Sequence, residues 1–174
     1  DYVYAEIEAD GYVNASFNGV IGVQELQTVP NGLIYGVRAE DDQAWRDRFA
    51  GCPYADDEGG AVYGDVRLAD WLDETTGEFA VVTTGFVRVI LPDGDAQTCY
   101  LDEEGIAYDA EATQTGGSGQ FAVFGVPAGV LSMEVGYLFA GETKMVYPYR
   151  LWMPENGASP RLPAFVELAV GPGF

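Results

Sequence analysis

The sequence predicts an all-β sandwich carrying one short helix. Three observations point there. Glycine is abundant, 23 of 174 residues, and with Pro, Asp and Asn it cuts the chain into short apolar runs. Many of these runs alternate apolar and polar residues, the two-residue period of a half-buried strand. Hydrophobic residues make up 48% of the chain, so a packed core is expected rather than disorder.

The elements follow in order. From Tyr2 to Glu8, Val3, Ala5 and Ile7 share one face of a strand, and Tyr4, Glu6 and Glu8 share the other. Asp10-Gly11 is a turn signal, and strand character resumes over 12–23. A short strand is expected at 32–37. The one convincing helix comes next. Glu40-Asp41-Asp42 places negative charge where a helix N-terminus favours it. Trp45, Arg48 and Phe49 then fall on one face, and Gly51 stops the run. With so small an apolar face, this helix reads as a lid docked on the edge of the sandwich.

Strands are expected again at 61–71, 78–84, 86–91, 98–101, 111–115, 121–126, 130–139, 144–152 and 164–170. Leu91-Pro92-Asp93-Gly94-Asp95 and Gly116-Gly117-Ser118-Gly119 read as tight turns. Pro148 implies an edge strand or a bulge, and 154–163 reads as a Pro/Gly/Ser loop. Around Pro127-Ala128-Gly129 the chain reverses. Phe121, Val123 and Val126 on one arm, and Leu131, Met133 and Val135 on the other, give a hairpin with one buried face.

The run Ala112-Thr113-Gln114-Thr115 to Gly119-Gln120-Phe121-Ala122-Val123-Phe124-Gly125-Val126-Pro127-Ala128-Gly129 resembles the carboxypeptidase regulatory-like domains of the transthyretin-like class. Ala61-Val62-Tyr63-Gly64-Asp65-Val66 looks like that family's first strand, and 85–89 like its second. The resemblance covers about residues 60–170. It implies an Ig-like (transthyretin-like) β-sandwich in an exported bacterial protein. It implies no single function, because the family hosts accessory, adhesive and carbohydrate-binding modules alike. The resulting division is 1–39 N-terminal strands, 40–59 short helix and acidic loop, and 60–174 sandwich. Ala5-Glu6-Ile7-Glu8-Ala9-Asp10-Gly11-Tyr12 is faintly similar to Ser132-Met133-Glu134-Val135-Gly136-Tyr137. The N-terminal strands therefore read either as a hairpin on their own sandwich or as strands that complete a sheet with a neighbouring copy.

Charge excludes several partners. Eight Lys and Arg face 28 Asp and Glu, a formal charge of −20. Nucleic acid binding needs a basic face to release counterions, and an anionic membrane surface needs one too. No apolar run is long enough to insert in a membrane as a helix. With no histidine in the chain, no Ser-His or Cys-His pair forms and no imidazole binds metal. Paired carboxylates can serve a glycosidase, but any acidic chain meets that requirement loosely. The expectation is that the protein is not an enzyme.

Carboxylates and tyrosines are the remaining chemistry. Residues 40–75 carry a net charge of −8 and residues 91–115 a net of −7. Asp56, Asp57, Asp93 and Asp95 are hard oxygen ligands of the kind Ca²⁺ takes, though no EF-hand spacing is present. The alternative is solvated loop charge. Tyr2, Tyr4, Tyr12, Tyr147 and Tyr149 are candidate contacts for a glycan or a partner strand, or else packing residues. Cys52 and Cys99 form no metal-ligand pattern. They read as one disulfide in an exported chain, or as two buried thiols.

The chain opens with Asp1 directly in an alternating stretch, which suits a cleaved export signal or an excised fragment. A secreted or cell-surface location is expected. The functional expectation is a non-enzymatic structural module that self-assembles by β-strand addition as a surface or filament subunit. The alternative is a carbohydrate- or calcium-binding accessory or adhesion module.

Overall fold

A computed structural model describes residues 2–13, 15–20, 38–55, 60–139, 142–155 and 158–166. In chain order the elements are β1 (Tyr2–Ile7), β2 (Ala15–Val20), α1 (Ala39–Arg48), β3 (Gly60–Asp73), β4 (Glu78–Val81), β5 (Gly85–Leu91) and β6 (Gly94–Ala96). They continue with β7 (Cys99–Leu101), β8 (Tyr108–Asp109), β9 (Gln120–Val126), β10 (Gly129–Phe139), β11 (Glu142–Met153) and β12 (Ala158–Val166). The fold is all-β with one short helix, as the alternation predicts.

The strands make two sheets. The larger runs β1-β2-β12-β3-β9-β7-β8, with β4 pairing the far half of β3. The smaller runs β11-β10-β5-β6. Between them lies a core that includes Val62, Val66, Phe121, Val123 and Val126 from the large sheet. Val87, Val89, Leu131, Met133 and Val135 meet them from the small one. Period-2 alternation puts Leu131, Met133 and Val135 inward while Ser132 stays exposed, as the hairpin reading expects.

Two buried hydroxyls tie the sheets together. The Tyr100 hydroxyl in β7 accepts a bond from the Val87 amide of β5 at 3.0 Å. Thr115 donates its hydroxyl to the Val82 carbonyl at 2.5 Å and accepts from the Gly85 amide at 2.8 Å. Its own amide donates to the Gly85 carbonyl at 2.7 Å. Buried polar groups persist only when paired, and both residues meet that condition.

Several expectations need correction. β9 is buried on both faces: Phe121 and Val123 point into the sandwich, while Ala122 and Phe124 join a second cluster on the outside. The helix creates that cluster by docking on the outer face of the large sheet, not on the sandwich edge. The reason lies in Tyr63 and Phe124, which stand outward and receive Trp45 and Phe49. The stretch 111–115 is turn and bend, and the short strand lies just before it, at β8. The expected loop 154–163 is largely β12, which runs parallel to β3 through a register shift between Ser159 and Leu162. Among the described residues β2 pairs it only at Ala158, so Pro160 and Pro163 take no β2 ladder bond away. The strand expected at 32–37 lies outside the described residues.

Candidate functional site

Strand order and composition single out β1. Each described sheet edge other than β1 carries a feature that discourages pairing with another chain. β4, β6 and β8 are four, three and two residues long. β11 holds Pro148, opposite Glu134, and a register shift beside it. Past Ala158, β12 holds Pro160 and Pro163. β1 has six residues, Tyr-Val-Tyr-Ala-Glu-Ile, with no Pro, Gly or Lys. It pairs β2 antiparallel from Tyr2 opposite Val20 to Ile7 opposite Ala15, and among the described residues its other side has no partner.

The N-terminal hairpin is joined to its own chain: Ala15 of β2 pairs Ala158 of β12, and β2 also lies against β11. After β1, the Ala39 amide donates to the Gly11 carbonyl at 3.0 Å, and Tyr12 bridges to Arg38. Tyr12 is 41% exposed and sits at the helix start rather than on the open edge. Tyr2 and Tyr4 lie in β1, and Tyr147 and Tyr149 lie in β11 opposite Val135 and Met133. The structure does not describe the side chains of these four.

Cys52 and Cys99 form a disulfide, which links the turns after α1 to β7 across 47 residues. The two acidic segments consequently meet. Arg48 donates to the Gly105 carbonyl, so the helix end touches the turn that carries Asp102, Glu103 and Glu104. That turn is held internally: the Asp102 carboxylate accepts from the Ile106 amide at 2.6 Å.

Of the carboxylates proposed as calcium ligands, Asp56 and Asp57 lie outside the described residues. Asp93 and Asp95 sit in the β5–β6 hairpin and are exposed. Asp95 is bonded by Arg88 at 2.7 Å, which also reaches Glu134 at 3.2 Å. Among the described residues, no three Asp, Glu or Cys side chains gather into a metal-holding group.

A groove of about 420 Å³ opens where the 101–117 segment passes Thr83 and Thr84. Glu103, Asp109 and Gln114 supply its polar groups, and Leu101 and Ala112 its apolar wall. Sequence reasoning missed this groove, because its walls come from Thr83 and Thr84 and from the separate 101–117 segment. The signal that was present is the Thr-Gln-Thr run ahead of the glycine turn. No family model, no curated protein and no solved structure matches this chain.

Proposed function

We propose that the chain is a non-enzymatic extracellular structural module that associates with copies of itself by β-strand addition at β1, as a surface or filament subunit. The observation that carries this reading is the contrast between β1 and the other edges. Among the described residues, short strands, prolines and a register shift guard the other edges, while β1 offers an unguarded row of backbone donors and acceptors. The disulfide is compatible with an oxidising, extracellular compartment. The histidine-free sequence supports a non-catalytic role.

β1 against β1 closes as a dimer, whereas a filament needs β1 to add to an unlike edge, head-to-tail and against the features that guard the other described edges. Tyr4→Pro and Ala5→Pro test the edge. Successive residues point their amides to opposite sides of a strand, so one of the two removes an outward donor. Light scattering across a concentration series should show oligomers for the parent chain and a smaller mass for at least one variant. A parent chain that stays monomeric at millimolar concentration contradicts the proposal.

The second reading, a carbohydrate- or calcium-binding accessory or adhesion module, has the groove beside Thr83 in its favour. Hydroxyl, amide and carboxylate groups over an apolar wall suit a hydroxylated ligand. Calorimetry with oligosaccharides, and a melting comparison between chelator and millimolar calcium, test it. No heat and no shift in melting temperature would remove it.

A further inference from the structure

α1 is a weak helix by itself. It has ten residues, fewer than the length at which an isolated helix holds in water. Its N-cap, Arg38, makes no side-chain capping bond. Of its ten residues only Asp42 is buried, and Tyr63 bonds its carboxylate. The Ala39 amide also bonds Gly11 at the helix start, and the other contacts that keep the helix in place come from its end and from the turns beyond it. Trp45 stacks on Tyr63 at 5.0 Å, and Phe49 meets Phe124 edge-on at 6.1 Å. Arg46 donates to the Ala55 carbonyl at 3.0 Å. The Cys52 and Ala55 amides close two successive turns onto Phe49 and Cys52. Cys52, in the middle of this strap, is bonded to Cys99 of β7.

The cover and the sandwich are separable. The inner cluster contains no residue of 38–55. The outer cluster draws Phe49, Cys52 and Ala55 from the strap, with Trp45 packed against them. They lie over Ala61, Tyr63, Leu101, Ala122 and Phe124.

We propose that residues 38–55 are a redox-latched cover, held over the outer face of the large sheet by the Cys52–Cys99 bond. Opening the latch takes two electrons and two protons from a thiol reductant. The reductant's two thiols close to a disulfide, and Cys52 and Cys99 are left as thiols. The strap then lifts, and the outer face of β3, β9 and β7 meets water while the inner core stays folded. In oxidising surroundings the reverse step closes the second layer. Both sulfur-bearing residues are buried, at 5% and 1% exposure, so a reductant reaches them only during an opening of the strap.

The full chain with Cys52→Ala and Cys99→Ala tests the latch without reductant, and the parent chain in dithiothreitol tests it without substitution. Trypsin reads the strap through cleavage after Arg46 and Arg48. Amide exchange at Val87, Val89, Met133 and Val135 reads the inner core. The proposal expects cleavage at the two arginines to rise about tenfold or more in the double variant, with inner-core protection kept within about threefold. The reduced parent should lose protection over 39–49 and keep it at the four core amides. Unchanged cleavage overturns the proposal, because the strap then docks on its apolar contacts alone. Simultaneous loss of protection at the four core amides also overturns it, because the two layers are then one cooperative unit.

Discussion

The Tyr63 hydroxyl donates a hydrogen bond to the Asp42 carboxylate at 3.1 Å, joining the outward face of β3 to the first turn of α1. Arg46 holds the other carboxylate oxygen at 2.8 Å, one helical turn on. A buried carboxylate is tolerated here because both oxygens are occupied and one partner is a cation. Removing the hydroxyl while keeping the ring isolates the bond. Tyr63→Phe should lower stability by about 1.5–3 kcal/mol, the range for a bond to a charged group. Denaturant titration reads this, and a change near zero would show that the carboxylate finds another partner.

High pH attacks the same bond. Burial pushes the Tyr63 phenol far above its ordinary value, and the neighbouring Asp42 carboxylate pushes it further. Burial raises Tyr100 as well, partly opposed by its bond to Val87. A folded pKa above the unfolded value of about 10 means that the stability is complete below that pH and is lost as pH rises through the folded pKa. Alkaline unfolding should therefore begin above about pH 10, with these two phenols ionising as structure is lost. Near-ultraviolet phenolate absorbance followed beside circular dichroism measures both. Ionisation of all eleven tyrosines with native structure intact would contradict it.

Thr115 clips the 111–119 segment to the start of β5, through bonds to Gly85 and Val82. Thr115→Val keeps the shape and strands a buried amide, so it should cost about 1–3 kcal/mol. Thr115→Ser keeps the hydroxyl and should recover most of that loss. Equal melting temperatures for the Val and Ser variants would show that the bonds contribute little.

Most of the sandwich was legible because period-2 alternation reports burial of one face. It fails where that premise fails. β9 is covered on both sides, so its outward residues Ala122 and Phe124 look like an interruption of the pattern until the helix is placed over them. Thr-rich 111–115 reads as a strand by residue type, yet Thr115 spends its hydroxyl on bonds to β5 and Val82. Prolines concealed β12, which tolerates them because β3 pairs it along one side. The amphipathic character of β1 was visible from Tyr2 to Ile7. Its place at the end of a sheet was not, because that depends on the pairing of Ala15 with Ala158, a residue distant in sequence. Asp42 read as a dipole-favoured surface acid, and only the outward Tyr63 explains its burial.

Amide exchange of residues 3–7 as a function of protein concentration tests whether β1 pairs between copies of this chain, as proposed. Outward amides of an edge strand exchange with water unless another strand takes them. With β1 paired between copies, alternate amides in β1 should gain protection as concentration rises, while the core amides of Val89 and Val135 should not change. Protection in β1 that is the same at low and high concentration would contradict it.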